Sequence, residues 1–184
     1  MSRYIDGATG APLAEKPEDM THLYGNVLVK KTHPRIAFRG KLDSLMAKTM
    51  EVQLTAMAAG NGQVCGDLQD LMDLLRRIMA AEVKETPLGE LRLLGLESDA
   101  IRRMSQEVEA EFGMDHPVPD YRMGSVCVAL NALRTQVRET ELEAVCTLPE
   151  REDLIRALNR ASAAVYVIFC RVLSGWYERH TKEE

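Results

Sequence analysis

The stretch LNALRTQVRETELEA, residues 130–144, carries a row of charged side chains beside an apolar face. At helical spacing, Arg134, Arg138 and Glu141 share one side of the helix with Asn131. The apolar face lies about 100° further around the helix. It consists of Leu130, Leu133, Val137 and Ala144. Arginine side chains suit phosphate oxygens, and a carboxylate can hold them in place, so the row indicates a site for a polyphosphate.

Two other predicted helices carry similar polar rows beside their apolar faces. The spacing is i, i+4, i+8 on the first long helix and i, i+3, i+7 on the last, in the sets Arg35, Arg39 and Asp43, and Asn159, Ser162 and Tyr166. Any one such row is most simply interpreted as surface ion pairs or as bridges between helices. Three rows on three core helices favour a shared phosphate-binding site instead.

Standard motifs for nucleotide binding and nucleophilic catalysis are missing from the sequence. It contains no G-x-x-x-x-G-K-[ST] loop, no G-x-G-x-x-G turn and no G-x-S-x-G elbow. The four histidines, His22, His33, His116 and His180, lack the spacings that metal ligands show on a helix. We therefore expect no metal ion held by protein ligands.

The composition of the 184 residues is that of one helical globular domain. Hydrophobic residues make up 46%, charged residues 28% and aromatic residues only 5%. The formal net charge of −5 argues against a nucleic-acid partner, which would need a broad basic surface. The longest apolar run, ASAAVYVIFC, is about half the length of a membrane span, so we expect no membrane partner.

The cysteines are scattered along the chain without a C-x-x-C pair. Cys127 and Cys170 lie in apolar surroundings, which favours buried free thiols over a disulfide framework. The N-terminus also lacks the apolar core of a signal peptide. These features favour a cytoplasmic location.

Hydrophobic periodicity predicts five helices joined by short connections. They cover residues 34–59, 67–84, 98–113, 124–146 and 149–180. Only the segment VLVKK suggests a strand, and residues 1–20 mix Gly, Pro and charged residues without a period. We therefore expect an all-α fold: an antiparallel up-and-down five-helix bundle over residues 21–184, preceded by a flexible N-terminal tail over residues 1–20.

Three segments resemble the ethanolamine-utilisation type of ATP:cob(I)alamin adenosyltransferase and, more distantly, the propanediol-utilisation type. They are THLYGNVLVKKTHPRIAFRGKLDS (21–44), LNALRTQVRETELEA (130–144) and LNRASAAVYV (158–167). The spacing of His116-x-Val118-Pro119 ahead of the arginine helix also matches the ethanolamine type. Each segment alone is weak evidence for the family. The three segments together, in this order and at matching separations, are specific to it. The resemblance covers most of residues 21–175.

The resemblance implies a helical bundle that assembles as a homotrimer, with active sites between neighbouring subunits. The family transfers the 5′-deoxyadenosyl group of ATP to the cobalt of reduced cobalamin and releases triphosphate. ATP with Mg2+ and cobalamin are therefore the expected ligands, with the magnesium ion bridging phosphate oxygens. A reductase or a cobalamin-dependent enzyme is an expected further partner, and an enzyme microcompartment is an alternative location.

The resemblance also assigns roles to residues by their position in the matching segments. Arg134, Arg138 and Asp43 are the implied catalytic residues, with Asp43 pairing with Arg134 of an adjoining chain. The implied ATP-binding residues are Thr21, His22, Lys31, Arg134, Arg138, Glu141 and Asn159. Among them, Thr21 and His22 belong to an N-terminal segment that closes over ATP.

The implied cobalamin-binding residues are Val118, Pro119 and Arg39, and the loop around Val118 and Pro119 forms an apolar wall against the corrin. Here the sequence departs from the family. Val118 stands where a bulky aromatic residue is common, and Ala163 stands where the propanediol type has an aspartate. The Gly- and Thr-rich ATP loop of that type is absent. The cysteine-rich motif of the ethanolamine type is absent ahead of Thr21, so we expect no structural iron or zinc.

Two other functions stay open at this point. Ala163 and the missing ATP loop favour a non-catalytic cobalamin carrier, sensor or helical adaptor that has the same bundle. A purely structural bundle with exposed ion pairs, each worth a few tenths of a kcal/mol, is the third alternative.

Overall fold

The computed structural model of the chain describes residues 3–180. Within these residues the helices are α1 (Pro34–Ala58), α2 (Gly62–Lys84), α3 (Ser98–Gln106), α4 (Val108–Phe112), α5 (Ser125–Thr147), α6 (Glu152–Leu173) and α7 (Trp176–His180). The strands are β1 (Tyr4–Asp6), β2 (Pro12–Leu13), β3 (Met20–Tyr24), β4 (Val27–Lys30), β5 (Arg92–Leu93) and β6 (Leu96–Glu97).

The four long helices, α1, α2, α5 and α6, form a bundle around one hydrophobic core. Helix α5 packs against α1 and α6, and α2 packs against the same two helices from the other side of the core. Residues 59–61 join α1 to α2 and residues 148–151 join α5 to α6, and such short connections make consecutive helices antiparallel. Helix α3 packs on the outside of α6. The mostly helical bundle predicted from the periodicity is therefore confirmed.

Helix α1 begins and ends where its sequence indicates. Pro34 occupies the first turn, where its missing N–H costs nothing, and the His33 side chain accepts a hydrogen bond from the Arg35 N–H at 3.2 Å. Beyond the last turn, Gly60 adopts φ = 78°, a conformation that glycine reaches without steric cost.

The predicted third and fifth helices are each divided in two. At Glu107 the backbone leaves the helical region, so α3 and α4 replace one continuous helix. At Gly175, φ = 68° ends α6 and separates it from α7. Helix α2 also begins earlier than predicted, at Gly62, inside the segment expected to be a loop.

The all-α expectation is wrong in one respect, because the chain also forms two small sheets. The larger sheet has the strand order β2-β1-β4-β3, in which β4 pairs antiparallel with β3 and parallel with β1. Strand β4 contains the VLVK segment whose alternation was the one strand signal in the sequence. The smaller sheet is the hairpin of β5 and β6.

Residues 3–20, expected to be a flexible tail, contain strands β1 and β2 of the larger sheet. The Gly7 N–H donates to the Leu28 carbonyl at 2.7 Å, and the Ile5 N–H donates to the Asn26 carbonyl at 3.0 Å. Strands of two or three residues have no detectable periodicity, and they are stable here because β4 supplies backbone partners to β1, which in turn pairs with β2. The expected boundary at residue 21 falls inside β3; Met1 and Ser2 lie outside the described residues.

A buried carboxylate joins the beginning of α1 to the end of α2. Glu82 has 1% relative exposure, and its two oxygens accept hydrogen bonds from Arg35 Nε and Arg39 Nε. Arg39 also donates to the Leu23 carbonyl at 2.7 Å, which attaches β3 to the same cluster. The charges of these three side chains therefore fix the larger sheet against the bundle.

We expect Glu82→Gln to lower the free energy of unfolding by about 3 kcal/mol, because it leaves two guanidinium groups without their buried counter-charge. Urea unfolding followed by circular dichroism measures the change. Glu85→Gln is the matched control. Glu85 pairs with Arg35 as well, but its side chain is 61% exposed, so the loss there should stay below about 1 kcal/mol. Equal losses in the two variants would contradict the structural role of Glu82.

Asp153 attaches the beginning of α6 to the connector that follows α2. It accepts hydrogen bonds from the Arg151 guanidinium, at 3.0 Å to each oxygen, and from the Leu88 N–H at 2.9 Å. The Arg151 side chain is the main cause of a lowered pKa of the Asp153 carboxyl, which falls to about 2. The folded protein therefore favours the ionised form of Asp153.

A carboxyl group whose pKa is lowered on folding stabilises the protein above its unfolded pKa of about 4, and this contribution disappears as the pH falls through the folded pKa. We therefore expect Asp153→Asn to be less stable than the wild type at pH 7, with a difference that shrinks between about pH 4 and pH 2. Urea unfolding at a series of pH values tests this. Glu150→Gln, an exposed neighbour, is the control; a difference independent of pH would count against the assignment.

Candidate functional site

A cavity of about 690 Å³ opens between α3, α5, α6 and the loop of residues 113–124. Its volume lies within the range of about 300–1,000 Å³ that is typical of small-molecule sites. The polar rows predicted on α5 and α6 both face into it. From α5 come Asn131, Arg134 and Arg138, and from α6 come Asn159, Ser162 and Tyr166.

The two helices place these side chains because their opposite faces are buried. On α5, Leu130, Leu133 and Val137 are fully buried, as the apolar stripe predicted. Arg134 and Arg138 lie between these buried residues along the helix, and their side chains face the gap between α5 and α6. On α6 the residues around Tyr166, including Val165 and Val167, are likewise buried. Ordinary core packing therefore holds the cavity walls in place.

An aromatic ring supports one of the two arginines. The Arg134 guanidinium carbon lies 5.3 Å from the centre of the Tyr166 ring, which is within the range of a cation–π contact. Arg138, one turn further along α5, is exposed, and within residues 3–180 it has no hydrogen bond or ion pair. Both guanidinium groups are therefore available to a ligand, although Arg134 is the more restrained.

Tyr166 is held by His116, a residue of the 113–124 loop. Its hydroxyl lies 3.0 Å from His116 Nδ1, and His116 Nε2 lies 3.2 Å from the Gln106 carbonyl oxygen. Because a carbonyl only accepts, the Nε2 contact requires an N–H at that atom, and in the tautomer protonated at Nε2 the Nδ1 atom accepts the Tyr166 O–H. Burial raises the pKa of Tyr166 to about 12, so the tyrosine remains protonated at neutral pH.

The cavity wall is strongly cationic. Arg102 from α3 and Arg160 from α6 join Arg134 and Arg138 in lining it, and none of its lining residues is acidic. Arg160 donates to two neutral oxygens, Ser98 Oγ at 3.0 Å and Asn159 Oδ1 at 2.6 Å. Such a concentration of positive charge attracts anions and favours ligands that carry several negative charges.

Glu141 lies beside this cavity and is hydrogen-bonded to Asn159, one of the lining residues. Its carboxylate accepts a hydrogen bond from Asn159 Nδ2 at 2.9 Å, so the amide of Asn159 is oriented between Glu141 and Arg160. The structure therefore brings together four of the predicted ATP-binding residues, Arg134, Arg138, Glu141 and Asn159.

Of the predicted cobalamin-binding residues, Pro119 lines the main cavity and Val118 does not. Val118 is 80% exposed on the loop. Pro119 also lines a smaller adjoining cavity of about 160 Å³, together with Tyr121, Cys127 and Phe169. This smaller cavity is more apolar than the arginine-lined one.

Arg39 does not lie with Val118 and Pro119. Its guanidinium is bound to Glu82 and to the Leu23 carbonyl, and its side chain is only 14% exposed. For Arg35 and Arg39 the simpler interpretation, a bridge between helices, is therefore the right one. The role of Arg39 in binding cobalamin stays a prediction; in this structure its guanidinium is bound to buried Glu82 and lies apart from the cavity.

The remaining predicted residues lie outside the cavity. Thr21 and His22 are on β3, and Lys31 follows β4 directly. His22 packs edge-on against the Tyr4 ring at 5.7 Å. Asp43 is exposed on α1, and its carboxylate has no hydrogen bond or ion pair among residues 3–180. One subunit alone does not assemble these residues with the arginines.

Sequence reasoning missed Arg102 and Arg160 as cavity residues. Arg160 directly follows Asn159, so its position in the LNR segment was an available signal. Arg102 had no such signal, because α3 is too short to show which of Arg102 and Arg103 faces inward. Cys127 and Cys170 are buried free thiols, as predicted.

Residues 3–180 lack two other kinds of site, a metal-binding cluster and a membrane-spanning helix. No group of three His, Cys, Asp or Glu side chains is arranged to hold a metal ion in this part of the chain. In the same residues, no helix is both long enough and apolar enough to cross a bilayer.

Comparison with known proteins shows which family the chain is similar to. The sequence profile of the cobalamin adenosyltransferase family matches residues 13–172. The corrinoid adenosyltransferase EutT of Salmonella typhimurium strain LT2 is 35% identical over 163 residues, or 85% of this chain. EutT of Escherichia coli strain K12 shows the same identity over the same length. The chain spans about 60% of the length of these curated relatives. No solved structure matches the chain.

The profile match includes three of the four long helices completely and nearly all of α6, so it contains every helix that lines the cavity. The identity to the EutT proteins extends over a similar share of the chain, and the fold has the mostly helical composition expected of that resemblance. By sequence and by architecture together, the chain belongs to the cobalamin adenosyltransferase family.

Proposed function

We propose that the chain is a corrinoid adenosyltransferase, which transfers the 5′-deoxyadenosyl group of ATP to cob(I)alamin and releases triphosphate. The observation that supports this most strongly is the cavity lined by Arg102, Arg134, Arg138 and Arg160 without an acidic residue. A polyphosphate supplies the negative charge that this wall lacks. The relatives named corrinoid adenosyltransferase provide the second line of support.

In this reaction no side chain of the protein has to form a covalent bond with a substrate. Cob(I)alamin is itself a strong nucleophile, and its cobalt supplies both electrons of the new cobalt–carbon bond. The C5′–O bond of ATP breaks at the same time, and its electron pair leaves with the triphosphate. The protein has to align cobalt with C5′, hold the leaving group and exclude water. A site made of arginines and without a nucleophile suits these tasks.

In this proposal Arg134 and Arg138 bind phosphate oxygens of ATP. Their guanidinium groups stabilise the charge that develops as triphosphate leaves. Asn159, oriented by Glu141, positions the nucleotide. A magnesium ion bound to the phosphates of ATP would add positive charge that helps Arg134 and Arg138 to stabilise the leaving triphosphate. The corrin lies on the side of Pro119 and the exposed Val118, next to the smaller apolar cavity.

We further propose that the active site is shared between subunits of a homotrimer. Three of the large apolar side chains on the outer faces of α1 and α5 are well exposed in the single chain: Leu54 at 68%, Met57 at 66% and Leu142 at 64%. Helices α1 and α5 pack against each other, so these exposed apolar side chains belong to two neighbouring helices, which favours a subunit interface on this side of the bundle. A neighbouring chain would then present Asp43 to Arg134, and Thr21, His22 and Lys31 to ATP.

A carrier or sensor that binds cobalamin without reacting is the second candidate function. It is favoured by Ala163, a small apolar residue that lines the cavity at the position where the propanediol-utilisation type has an aspartate. A cytoplasmic or microcompartment location and a reductase partner belong to the leading proposal, because cob(I)alamin must be generated next to the enzyme that uses it.

The first test is the reaction itself, followed by its dependence on Arg138. Purified protein with ATP, magnesium and chemically reduced cobalamin should form adenosylcobalamin, which is detected by its absorbance. Arg138→Ala should lower turnover by about 100-fold, because one preorganised cation for the leaving group is lost. Its helix content and thermal midpoint should not change, since Arg138 has no partner within residues 3–180.

Arg156→Ala is the matched control for this variant. Arg156 is exposed on α6 but does not line the cavity, so its removal should leave turnover unchanged. Full activity of Arg138→Ala would contradict the placement of the phosphate site. Cobalamin binding by the wild type without any product would favour the carrier or sensor.

The second test concerns the shared site. Leu54→Asp places a charge in the exposed apolar patch of α1, and we expect it to convert a trimer into monomers and to reduce turnover strongly. Sedimentation velocity measures the first effect. Ala80→Asp, at an exposed position on α2, is the charge-matched control and should remain trimeric. A monomeric Leu54→Asp variant with full activity would contradict a site built from two subunits.

A further inference from the structure

Arg102 is the one residue of α3 that brings a cation to the arginine-lined cavity. It is exposed, and among residues 3–180 its guanidinium has no hydrogen bond, ion pair or ring contact. None of the polar rows read from the sequence includes it. Its role therefore has to be deduced from its position.

The neighbouring Arg103 shows that this position is distinctive. Arg103 Nε lies 3.9 Å from a carboxylate oxygen of Glu111, and Arg103 does not line the cavity. Of the other arginines in the described chain, Arg35, Arg151 and Arg171 also pair with a carboxylate. In contrast, the positive charge of Arg102 is not neutralised by an acidic neighbour.

Helix α3 is fastened to the rest of the site at both of its ends. At its beginning, the Ser98 hydroxyl accepts a hydrogen bond from Arg160 Nε at 3.0 Å. At its end, the Gln106 carbonyl contacts His116 Nε2 at 3.2 Å. Between them, Ile101 is completely buried. The backbone that carries Arg102 is therefore held by two other residues that line the cavity, and the side chain is positioned with them.

The electrostatics of the cavity then point to a ligand. Four guanidinium groups around one cavity repel each other, and no lining carboxylate relieves the repulsion. A bound anion relieves it, and phosphate oxygens match the planar fork of arginine. Arg134 and Arg138 lie together on α5, whereas Arg102 comes from a separate helix, so it can reach a phosphate group that those two do not bind.

We propose that Arg102 is a phosphate-binding residue of the candidate active site. This rests on the proposed function, which provides two possible sources of the phosphate. One is the polyphosphate chain of ATP. The other is the phosphodiester in the nucleotide tail of cobalamin. The chemistry recognised is the same in both cases, and the experiment distinguishes the two sources.

The experiment compares Arg102→Gln with Arg103→Gln, in which the adjacent arginine that faces away from the cavity is changed. Isothermal titration calorimetry measures dissociation constants for inorganic tripolyphosphate, cobalamin and cobinamide, which lacks the phosphodiester. If Arg102 binds the phosphates of ATP, Arg102→Gln should weaken tripolyphosphate binding about 10-fold and leave both corrinoids unaffected. If it binds the cobalamin tail, the affinity for cobalamin should fall by a similar factor and that for cobinamide should not change.

Arg102→Lys keeps the charge and should restore part of whichever affinity is lost. Arg103→Gln should bind all three ligands like the wild type. Unchanged affinities in Arg102→Gln would overturn the proposal, as would equal losses in Arg102→Gln and Arg103→Gln. Because these are binding measurements, they remain informative if the wild type forms no adenosylcobalamin. That result would reject the proposed function without deciding the role of Arg102.

Discussion

The packing of α5 against α6 is the constraint on which the rest of the structure depends. Their buried faces are apolar, and the outer edge of this contact carries the residues that line the cavity. Because close-packed side chains cannot shift independently, the backbones of α5 and α6 are held in place, and Arg134 of α5 lies against the Tyr166 ring of α6. A site that works by alignment needs this rigidity more than it needs any reactive group.

Two sets of arginines in the described chain differ in their partners. Arg35, Arg39 and Arg171 are largely buried and pair with the carboxylates of Glu82 or Asp67, so they join elements of the fold. Those lining the cavity have neutral partners, a ring contact or no partner within residues 3–180. Leaving charges unpaired is unfavourable for folding, and binding a polyanion offsets that cost.

Most of the helical architecture could be predicted from the sequence because long amphipathic segments carry a strong periodic signal. The apolar stripe of α5 and the largely buried α6 are examples. The N-terminal strands could not be predicted in this way. Strands β1 and β2 are too short to show alternation. They pair with each other, and β1 also pairs with β4, more than ten residues further along the chain. The ends of α3 and α6 depend on single backbone conformations, at Glu107 and Gly175, which periodicity does not reveal.

At the candidate site, too, the pattern of the sequence could not predict the surroundings of single residues. Arg35 and Arg39 have the same i, i+4 spacing as Arg134 and Arg138, and the sequence favoured one interpretation for both pairs. What separates them is the neighbour across the helix interface: buried Glu82 faces the first pair, and an open cavity without acids faces the second. Spacing along one helix determines which side chains share a face. Only the packed fold determines whether the charges on that face meet a counter-charge inside the protein. Where they do not, a ligand can supply the counter-charge.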